Sequence, residues 1–448
     1  GGVGGAGGGG ADGGLGGAGG GNDGSAGGGS TGACTTPETT FGNIAQGDSN
    51  AGFTSGVATR SGDTLWVIDG YSGPAPTDGG VDAGADGGTP PSTNWIYAQP
   101  FDPTTGASLA PAAPVVQLSD GLAFTIADVA VAPTGEIALV TTRGTPSDAS
   151  TQAIFGVFFK PTAPAAGDAG AATPSLTFVR AVQLESITSG IARVIWSGGS
   201  QAFVFSWKYA AAGWFARLRR FTPAGTPAGG DAASIASPSG TIETTQWQDC
   251  DVGSAAAYLG VACRQPYDGH VFLEVLDGDG QQVGPYVRMG DATESSWAAT
   301  GGTSAGFVVL ADQPASVAGT FVPLTGMQSI TNDAGPPDDA GADGGADAAP
   351  APRFLEKTFS FPSTARTGKI ASDDSGGAGG LGVAMLETSG ASFLYVNADA
   401  SKQLNGGTVL SSAQGGEVSI TNYRGSYTLS LFESTKRATQ AAVSSCAR

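Results

Sequence analysis

The hydrophobic residues of this chain fall in short runs rich in Val, Phe, Leu, Ile and Thr, separated by turns of Gly, Pro and Asp. Runs of β-branched and aromatic residues bounded by turn residues are typical of β-strands. No stretch of similar length has the spacing of an amphipathic helix. The pattern predicts an all-β chain.

The strand-like runs recur in groups of four. The clearest group reads TTQWQDCDV, SAAAYLGVACRQ, GHVFLEVLDGDGQ and QVGPYVRM between residues 244 and 289. A repeat of about 40 to 50 residues with four strands per unit is typical of a β-propeller. We therefore predict a seven-bladed β-propeller, with six or eight blades left open because the first and last units are irregular. The first strands of the units are predicted to start near positions 52, 126, 190, 246, 295, 367 and 416.

The last unit is one strand short of four. The segment TTPETTFGNIAQ (35–46) precedes the first complete unit and can supply the missing strand. Closing the ring with strands from both ends of the chain removes the open sheet edges that would otherwise pair with other chains. We expect the N-terminal strand to complete the last blade.

The repeat assigns each of the four cysteines, at positions 34, 250, 263 and 446, to a predicted blade. Cys34 and Cys446 flank the blade built from both chain ends, and Cys250 and Cys263 fall on the first two strands of one blade. In an oxidising compartment these would form two disulfides, Cys34–Cys446 and Cys250–Cys263. Buried thiols are the alternative.

The chain contains 75 glycines and 26 prolines, so part of it cannot pack into a core. Residues 1–33 are almost wholly Gly, Ala, Ser and Asp and predict a disordered tether ahead of a propeller spanning 34–448. Insertions of similar composition are expected in loops near 72–93, 161–174 and 329–352. Their aspartates lack the order of a calcium loop, so no cofactor is expected and calcium is the alternative.

A formal charge of −19 argues against nucleic-acid binding, because the few basic residues, such as Arg217, Arg219 and Arg220, are only local. No apolar run approaches the about 20 residues that span a bilayer, so no transmembrane segment is predicted. The chain starts at Gly1 without methionine, from which we expect a removed export signal.

The sequence offers no catalytic constellation. His270 is the single histidine, and neither a Ser-His-Asp triad nor a zinc site can be assembled around it. Carboxylate pairs are the remaining enzymatic option, because glycosidases use two acids. Acids in or beside predicted first strands, which line the channel, are Asp249, Asp251, Glu294, Asp373, Asp374 and Glu417.

Binding is the more natural use of the surface. Aromatic planes beside polar groups suit a glycan or a peptide. We predict a ligand-binding face at the starts of the first strands, formed by Trp247, Trp297, Arg264, Tyr267 and His270. The alternative is that the two tryptophans pack between blades, as we expect of the core residues Trp66, Trp196 and Trp207.

The glycine-rich tail followed by the repeat resembles secreted bacterial β-propeller proteins of the surface-lipoprotein kind. This resemblance implies an extracellular or cell-surface location and a lipid anchor upstream of residue 1. The predicted function is a non-catalytic binding or scaffold module for a glycan or a protein. Two alternatives stay open: a carbohydrate-active hydrolase using channel carboxylates, and an adhesive protein assembling through its tail.

Overall fold

The structure is a computed structural model. It describes residues 38–40, 53–73, 93–118, 124–144, 153–162, 173–185, 192–211, 213–229, 233–235, 249–264, 271–278, 280, 282–283, 287–288, 297–313, 315–325, 357–363, 365–372, 379–401, 403–412 and 416–445. The tether 1–33, nearly all of the three insertions, and the pair Cys34–Cys446 lie outside the described residues.

The described residues form 28 strands in seven antiparallel sheets of four. The strands of the first four complete blades follow a short N-terminal strand. They are β1 (Glu38–Thr40), β2 (Phe53–Ser61), β3 (Thr64–Gly73), β4 (Thr93–Phe101), β5 (Ala113–Leu118), β6 (Phe124–Val131), β7 (Ile137–Arg143), β8 (Ala153–Thr162), β9 (Ser175–Glu185), β10 (Ala192–Ser197), β11 (Ala202–Ala211), β12 (Gly213–Phe221), β13 (Ala233–Ile235), β14 (Asp249–Ala255), β15 (Tyr258–Arg264), β16 (Val271–Leu276) and β17 (Val287–Arg288).

Three further blades complete the set. Their strands are β18 (Ala298–Gly302), β19 (Gly306–Gln313), β20 (Ser316–Pro323), β21 (Lys357–Pro362), β22 (Thr367–Ser372), β23 (Leu381–Glu387), β24 (Gly390–Val396), β25 (Gln403–Ser411), β26 (Glu417–Tyr423), β27 (Ser426–Glu433) and β28 (Ala438–Ser445).

The sheets form a closed ring. In blades 1 to 6 consecutive strands are neighbours, whereas blade 7 has the order β1-β28-β27-β26. The inner strands β2, β6, β10, β14, β18, β22 and β26 each contact the next, and β26 contacts β2. The chain is therefore a seven-bladed β-propeller closed by its N-terminal strand, which confirms the predicted fold. All seven inner strands start within three residues of their predicted positions.

Apolar packing between blades holds the ring together. Seven hydrophobic clusters join neighbouring blades. Phe307 and Leu273, for example, share the cluster between blades 4 and 5. The second strands of most blades are buried on both faces, which explains why they read as nearly continuous apolar runs.

Two glycines allow the backbones of blades 4 and 5 to lie close together at the ring centre. A Cβ added at Gly253 on β14 would lie 2.7 Å from the Cα of Gly301 on β18. No side chain fits between two backbones at that distance, so the inner strands can approach closely only because both positions are glycine.

Blade 4 contains one of the two predicted disulfides. Cys250 on β14 and Cys263 on β15 are register partners with a Cα–Cα distance of 4.1 Å and are bonded to each other. The pairing Cys250–Cys263 is confirmed. The pairing Cys34–Cys446 stays a prediction, although β1 does pair with β28 as it requires.

Removing the blade 4 bridge should have a moderate effect. The bridge closes a loop with a sequence separation of 13, for which loop entropy gives up to about 3 kcal/mol. We expect Cys250→Ala with Cys263→Ala to lower the unfolding free energy by about 2–3 kcal/mol in urea titrations.

Alkylation of the unreduced, denatured protein should label no thiol if both predicted pairs form, and labelling of Cys34 and Cys446 would contradict the second pair.

Within the described ranges, no helix reaches the length and apolarity needed to cross a membrane.

Candidate functional site

Four inner strands each carry a charged side chain that is almost completely buried. These residues are Asp128 on β6, Arg193 on β10, Asp251 on β14 and Lys369 on β22. Inner strands surround the propeller axis, so the four side chains from blades 2, 3, 4 and 6 converge there. Their side chains are only 7–12% exposed, and we call them, together with Ser419 on β26, the axial network.

The first half of the axial network is an ion pair between Asp128 and Lys369. Lys369 Nζ lies 3.0 Å from Asp128 Oδ1 and also donates to the carbonyl of Ala127 at 2.8 Å. Asp128 accepts two further hydrogen bonds, from Ser419 Oγ at 3.1 Å and from the backbone N–H of Val194 at 3.3 Å. One carboxylate thus connects blades 2, 3, 6 and 7.

The second half is centred on Asp251. Arg193 Nε lies 3.5 Å from Asp251 Oδ1, and the backbone N–H of Thr300 donates to Oδ2 at 3.0 Å. The backbone N–H of Val252 donates to Oδ1, also at 3.0 Å. Asp251 therefore joins blades 3, 4 and 5 around the same axis.

Burial shifts the titration of these groups. Desolvation raises the pKa of Asp251 to about 6, with Arg193 opposing the shift and the nearby Asp128 charge adding to it. Desolvation also lowers the pKa of Lys369, and the adjacent Asp128 opposes that change. At the exposed start of β26, partial desolvation raises the pKa of Glu417 against the opposing charges of Lys369 and Arg193.

A partly open cavity lies over the axial network. It follows the inner strands toward their C-terminal ends, and its walls include Trp196, Asn422 and Arg424. Its volume of about 60 Å³ has room for about four water molecules. We call it the axial cavity. It lies on the side of the first-to-second-strand hairpins, opposite the face that the sequence predicted for a ligand.

The wall of the axial cavity contains an arginine in an unusual backbone conformation. Arg424 and Gly425 form the two-residue turn between β26 and β27, with φ of 51° and 82°. Both values are positive, as in the type I′ turn that matches strand twist, but a non-glycine residue there is uncommon and costs about 1 kcal/mol. Arg424 Nε donates to the carbonyl of Pro133 across the cavity mouth at 3.0 Å.

The neighbouring Asn422 is held in one orientation. Its Oδ1 accepts a hydrogen bond from the backbone N–H of Gly425 at 3.1 Å. Its Nδ2 is consequently directed away from the turn, and it is buried without a hydrogen-bond acceptor among the described residues. Other buried side-chain donors, among them Trp66 Nε1 and Trp207 Nε1, share this state, and Asn422 differs from these two because it lines the axial cavity.

Of the predicted ligand-binding residues, Trp297 is a packing residue. It is 2% exposed, belongs to the cluster between blades 5 and 6, and donates from Nε1 to the carbonyl of Ala365 at 3.2 Å. The surface role predicted for Trp297 is corrected accordingly, because its ring is enclosed between blades. Arg264 is partly buried at the end of β15, opposite the start of β14 and away from the axial cavity. Trp247, Tyr267 and His270 lie outside the described residues.

The predicted core tryptophans differ among themselves. Trp66 and Trp207 are 2% exposed and lie in inter-blade clusters, as expected. Trp196 packs against the cluster between blades 2 and 3 but is partly exposed and forms part of the cavity wall.

Of the predicted channel acids, the structure brings Asp251 into the axial network and leaves Glu417 exposed at the start of β26. The side chains of Asp249, Glu294, Asp373 and Asp374 lie outside the description. Sequence reasoning missed Asp128, Arg193 and Lys369. The available signal was a single charge inside each of the strands TIADVAV, ARVIWS and TGKIAS, where burial makes an isolated charge expensive.

Among the described residues, no group of three or more His, Cys, Asp or Glu side chains is placed to hold a metal ion.

No protein-family model and no curated protein matches the chain. Solved structures with a similar fold include a structure from a study of two prolyl endopeptidases (10% identity, TM-score 0.42), covering 90% of this chain and 53% of that chain. Another is the Cps50 (Swd1) β-propeller domain of Myceliophteria thermophila (10% identity, TM-score 0.45), covering 91% and 99%. A third is Trypanosoma rangeli sialidase in complex with 2,3-difluorosialic acid (8% identity, TM-score 0.44), covering 92% and 59%. The chain thus spans about half the length of the first of these proteins. At such identities the likeness concerns the fold alone.

Proposed function

We propose that this protein is a non-catalytic binding or scaffold module that acts outside the cell and holds a ligand group in the axial cavity. The observation that carries the proposal is the pair Asn422 and Arg424 on the cavity wall. One presents a buried donor without an acceptor among the described residues, and the other holds a left-handed backbone conformation that most side chains avoid. Arg437 has the same φ in another turn, so what distinguishes Arg424 is that its side chain forms part of the cavity wall.

The hydrogen bonding of the axial acids supports a non-catalytic role. Asp128 and Asp251 each accept three hydrogen bonds or ion-pair contacts, including backbone N–H groups of neighbouring blades. A general acid or nucleophile must exchange protons or bonds with a substrate, which would break these contacts between blades. Both acids are accordingly assigned to structure.

The extracellular location is supported by the Cys250–Cys263 disulfide, because disulfides persist in oxidising compartments. The sequence resemblance to secreted β-propeller proteins of the surface-lipoprotein kind supports the same location. Attachment through a lipid upstream of residue 1 is part of the proposal.

The proposal is tested by probing glycan and peptide arrays with the full chain and two matched variants. Arg424→Gly removes the guanidinium from the cavity and relieves the left-handed strain. Arg437→Gly relieves the same strain, since Arg437 also has φ 51°, but this exposed residue lies on the β27–β28 turn outside the cavity. We expect Arg424→Gly to weaken array binding about tenfold or more and Arg437→Gly to leave it unchanged.

Equal binding by both variants and the wild type would place the ligand elsewhere and overturn the axial cavity as the site. Absence of binding to either array would count against the glycan or protein ligand itself.

One observation favours the hydrolase alternative. Asp251, with a pKa raised to about 6, lies close enough to Asp128 for their charges to interact, as in acid pairs of glycosidases. A hydrolase would release sugar from array glycans, and Asp251→Asn would abolish that release. A binding module would show no release from the wild type.

A further inference from the structure

The acceptors of the axial cavity are already engaged. The oxygens of Asp128 receive Lys369 Nζ, Ser419 Oγ and Val194 N–H, and those of Asp251 receive Arg193 Nε and two backbone N–H groups. The side-chain oxygen of Asn422 receives Gly425 N–H. Each carboxylate thus uses three of its about four lone-pair sites, which leaves few acceptor sites for a ligand that donates hydrogen bonds.

The donors of the same cavity are in excess. Asn422 Nδ2 is buried and has no acceptor among the described residues. Arg424 uses Nε on the Pro133 carbonyl, while within the described part of the chain its Nη groups have no hydrogen-bond or ion-pair partner. Lys369 has three N–H donors, two of which go to Ala127 and Asp128. Arg424 is exposed, so water or a ligand can supply the acceptors of its Nη groups, and a ligand at the cavity mouth would meet more donors than acceptors.

The charge of the cavity points in the same direction. Its charged lining consists of three cations, Arg193, Lys369 and Arg424, and two acids, Asp128 and Asp251. One positive charge is thus in excess, in a chain whose formal net charge is −19. Glu417 interacts with Lys369 and Arg193 from the start of β26, and it is not part of the cavity lining.

From these contacts we infer that the axial cavity binds a carboxylate group, which accepts hydrogen bonds from Asn422 Nδ2 and from the Nη groups of Arg424. A planar carboxylate matches the fork of an arginine and is stabilised by charge-assisted hydrogen bonds. The inference rests on the proposed binding function and adds the chemical class of the ligand.

The cavity size restricts what enters. Room for about four water molecules accommodates a carboxylate and the carbon next to it, while the rest of the ligand stays at the open mouth. A sugar acid and the C-terminus of a peptide both carry such a group. Both ligands share the carboxylate, and the experiment below distinguishes the sugar acid from the peptide C-terminus.

The test uses pairs of ligands that differ only at the carboxylate. Glucuronate against glucuronamide and a free-acid tripeptide against its C-terminal amide are titrated into the full-length protein by calorimetry. We expect the acid in at least one pair to bind about tenfold or more tightly than its amide. The pair that shows this difference identifies the source.

Matched variants assign the binding to the cavity. Asn422→Asp keeps the oxygen that accepts Gly425 N–H but replaces the buried donor with a negative acceptor. We expect it to weaken acid binding about tenfold or more. Asn397→Asp makes the same chemical change outside the cavity, at a partly exposed residue whose Nδ2 donates to Ser401 Oγ, and should leave binding unchanged. Circular dichroism melting confirms that both variants fold.

The outcomes separate the two proposals. Loss of ligand binding in Arg424→Gly would keep the cavity as the site. In that case the carboxylate inference is wrong if the wild type binds the acid and its amide equally, or if Asn422→Asp binds the acid as well as the wild type does. If neither member of any pair binds, the carboxylate inference is also overturned. If acids bind equally well to Arg424→Gly and the wild type, both the inference and the proposed site fail.

Discussion

Replacing Lys369 with methionine is expected to lower the free energy of unfolding by about 3–5 kcal/mol. Lys369 is 12% exposed and pairs with Asp128 across the propeller axis, from blade 6 to blade 2. Methionine has a similar length but no charge, so Asp128 would stay buried with only neutral donors, Ser419 Oγ and Val194 N–H, in direct contact. Removing one partner of a buried ion pair lowers the stability by about 3–5 kcal/mol because the other charge stays buried without compensation.

Urea denaturation of three variants measures the effect. Lys160→Met changes an exposed lysine on β8 and should stay within about 0.5 kcal/mol of wild type. The double variant Asp128→Asn with Lys369→Met removes both charges. The amide oxygen can still accept from Val194 N–H, and the amide NH2 can donate to the Ser419 hydroxyl, which then acts as the acceptor. We expect it to recover much of the loss, so the two substitutions should be strongly non-additive. Additive losses, or a loss below about 1 kcal/mol in Lys369→Met, would show that the pair does not stabilise the ring.

The second large effect concerns Asp69 at the seam between blades 1 and 7. Asp69 on β3 is 2% exposed and accepts a hydrogen bond from Thr439 Oγ1 on β28. Its register partner is Gly56, where a Cβ would lie 1.8 Å from Asp69 Oδ1, so glycine there makes room for the carboxyl group. Burial raises the pKa of Asp69 from 3.8 to about 7, with Thr439 opposing the shift.

This shift makes the closing seam sensitive to pH. Between about pH 4 and about pH 7 the folded state binds more protons at Asp69 than the unfolded state, so stability falls as pH rises. Each pH unit of that window lowers the free energy of unfolding by about 1.4 kcal/mol, so the total loss of stability is on the order of 4 kcal/mol by pH 7. Below the window the contribution is fully present, and above it the loss is complete.

Asp69→Asn should remove this dependence, because an amide stays neutral and can still accept from Thr439. We expect the variant to be more stable than wild type at pH 8, by up to about 4 kcal/mol, and no more stable than wild type at pH 4. Asp63→Asn makes the same change at a fully exposed turn residue of the same blade and serves as the control. Denaturation curves across pH 4–8 test this prediction. If the free energy of unfolding changes with pH in the same way for Asp69→Asn and wild type, the buried neutral carboxyl is contradicted.

Strand positions were predictable because blade strands are short, local and separated by turn residues. The inner strand of blade 6 was expected near 367 and begins at Thr367, and that of blade 7 was expected near 416 and begins at Glu417. The Cys250–Cys263 bridge followed from the same register, since each cysteine sits on one of two adjacent strands. These features depend on local pattern, which one sequence contains in full.

The candidate site was much less predictable. Asp128 and Lys369 are 241 positions apart and meet only because blades 2 and 6 face each other across the axis. Trp297 and the predicted partner Trp247 were assigned to a surface by strand position, yet Trp297 packs between blades 5 and 6. Which side of an inner strand is enclosed depends on the neighbouring blade, and strand alternation does not identify that neighbour.

By itself, the sequence determined the all-β class, the four-strand repeat, seven blades closed by an N-terminal strand, and the Cys250–Cys263 bridge. The repeat and the bridge follow from hydrophobic pattern and turn chemistry within about 50 residues, and closure by the N-terminal strand follows from the last unit being one strand short. The tertiary structure alone decided that Asp128, Arg193, Asp251 and Lys369 neutralise one another on the axis, and that Asn422 and Arg424 line a cavity above them. The physical reason is that ring closure brings distant inner strands to one axis, where low solvation makes the pairing of each charge decisive.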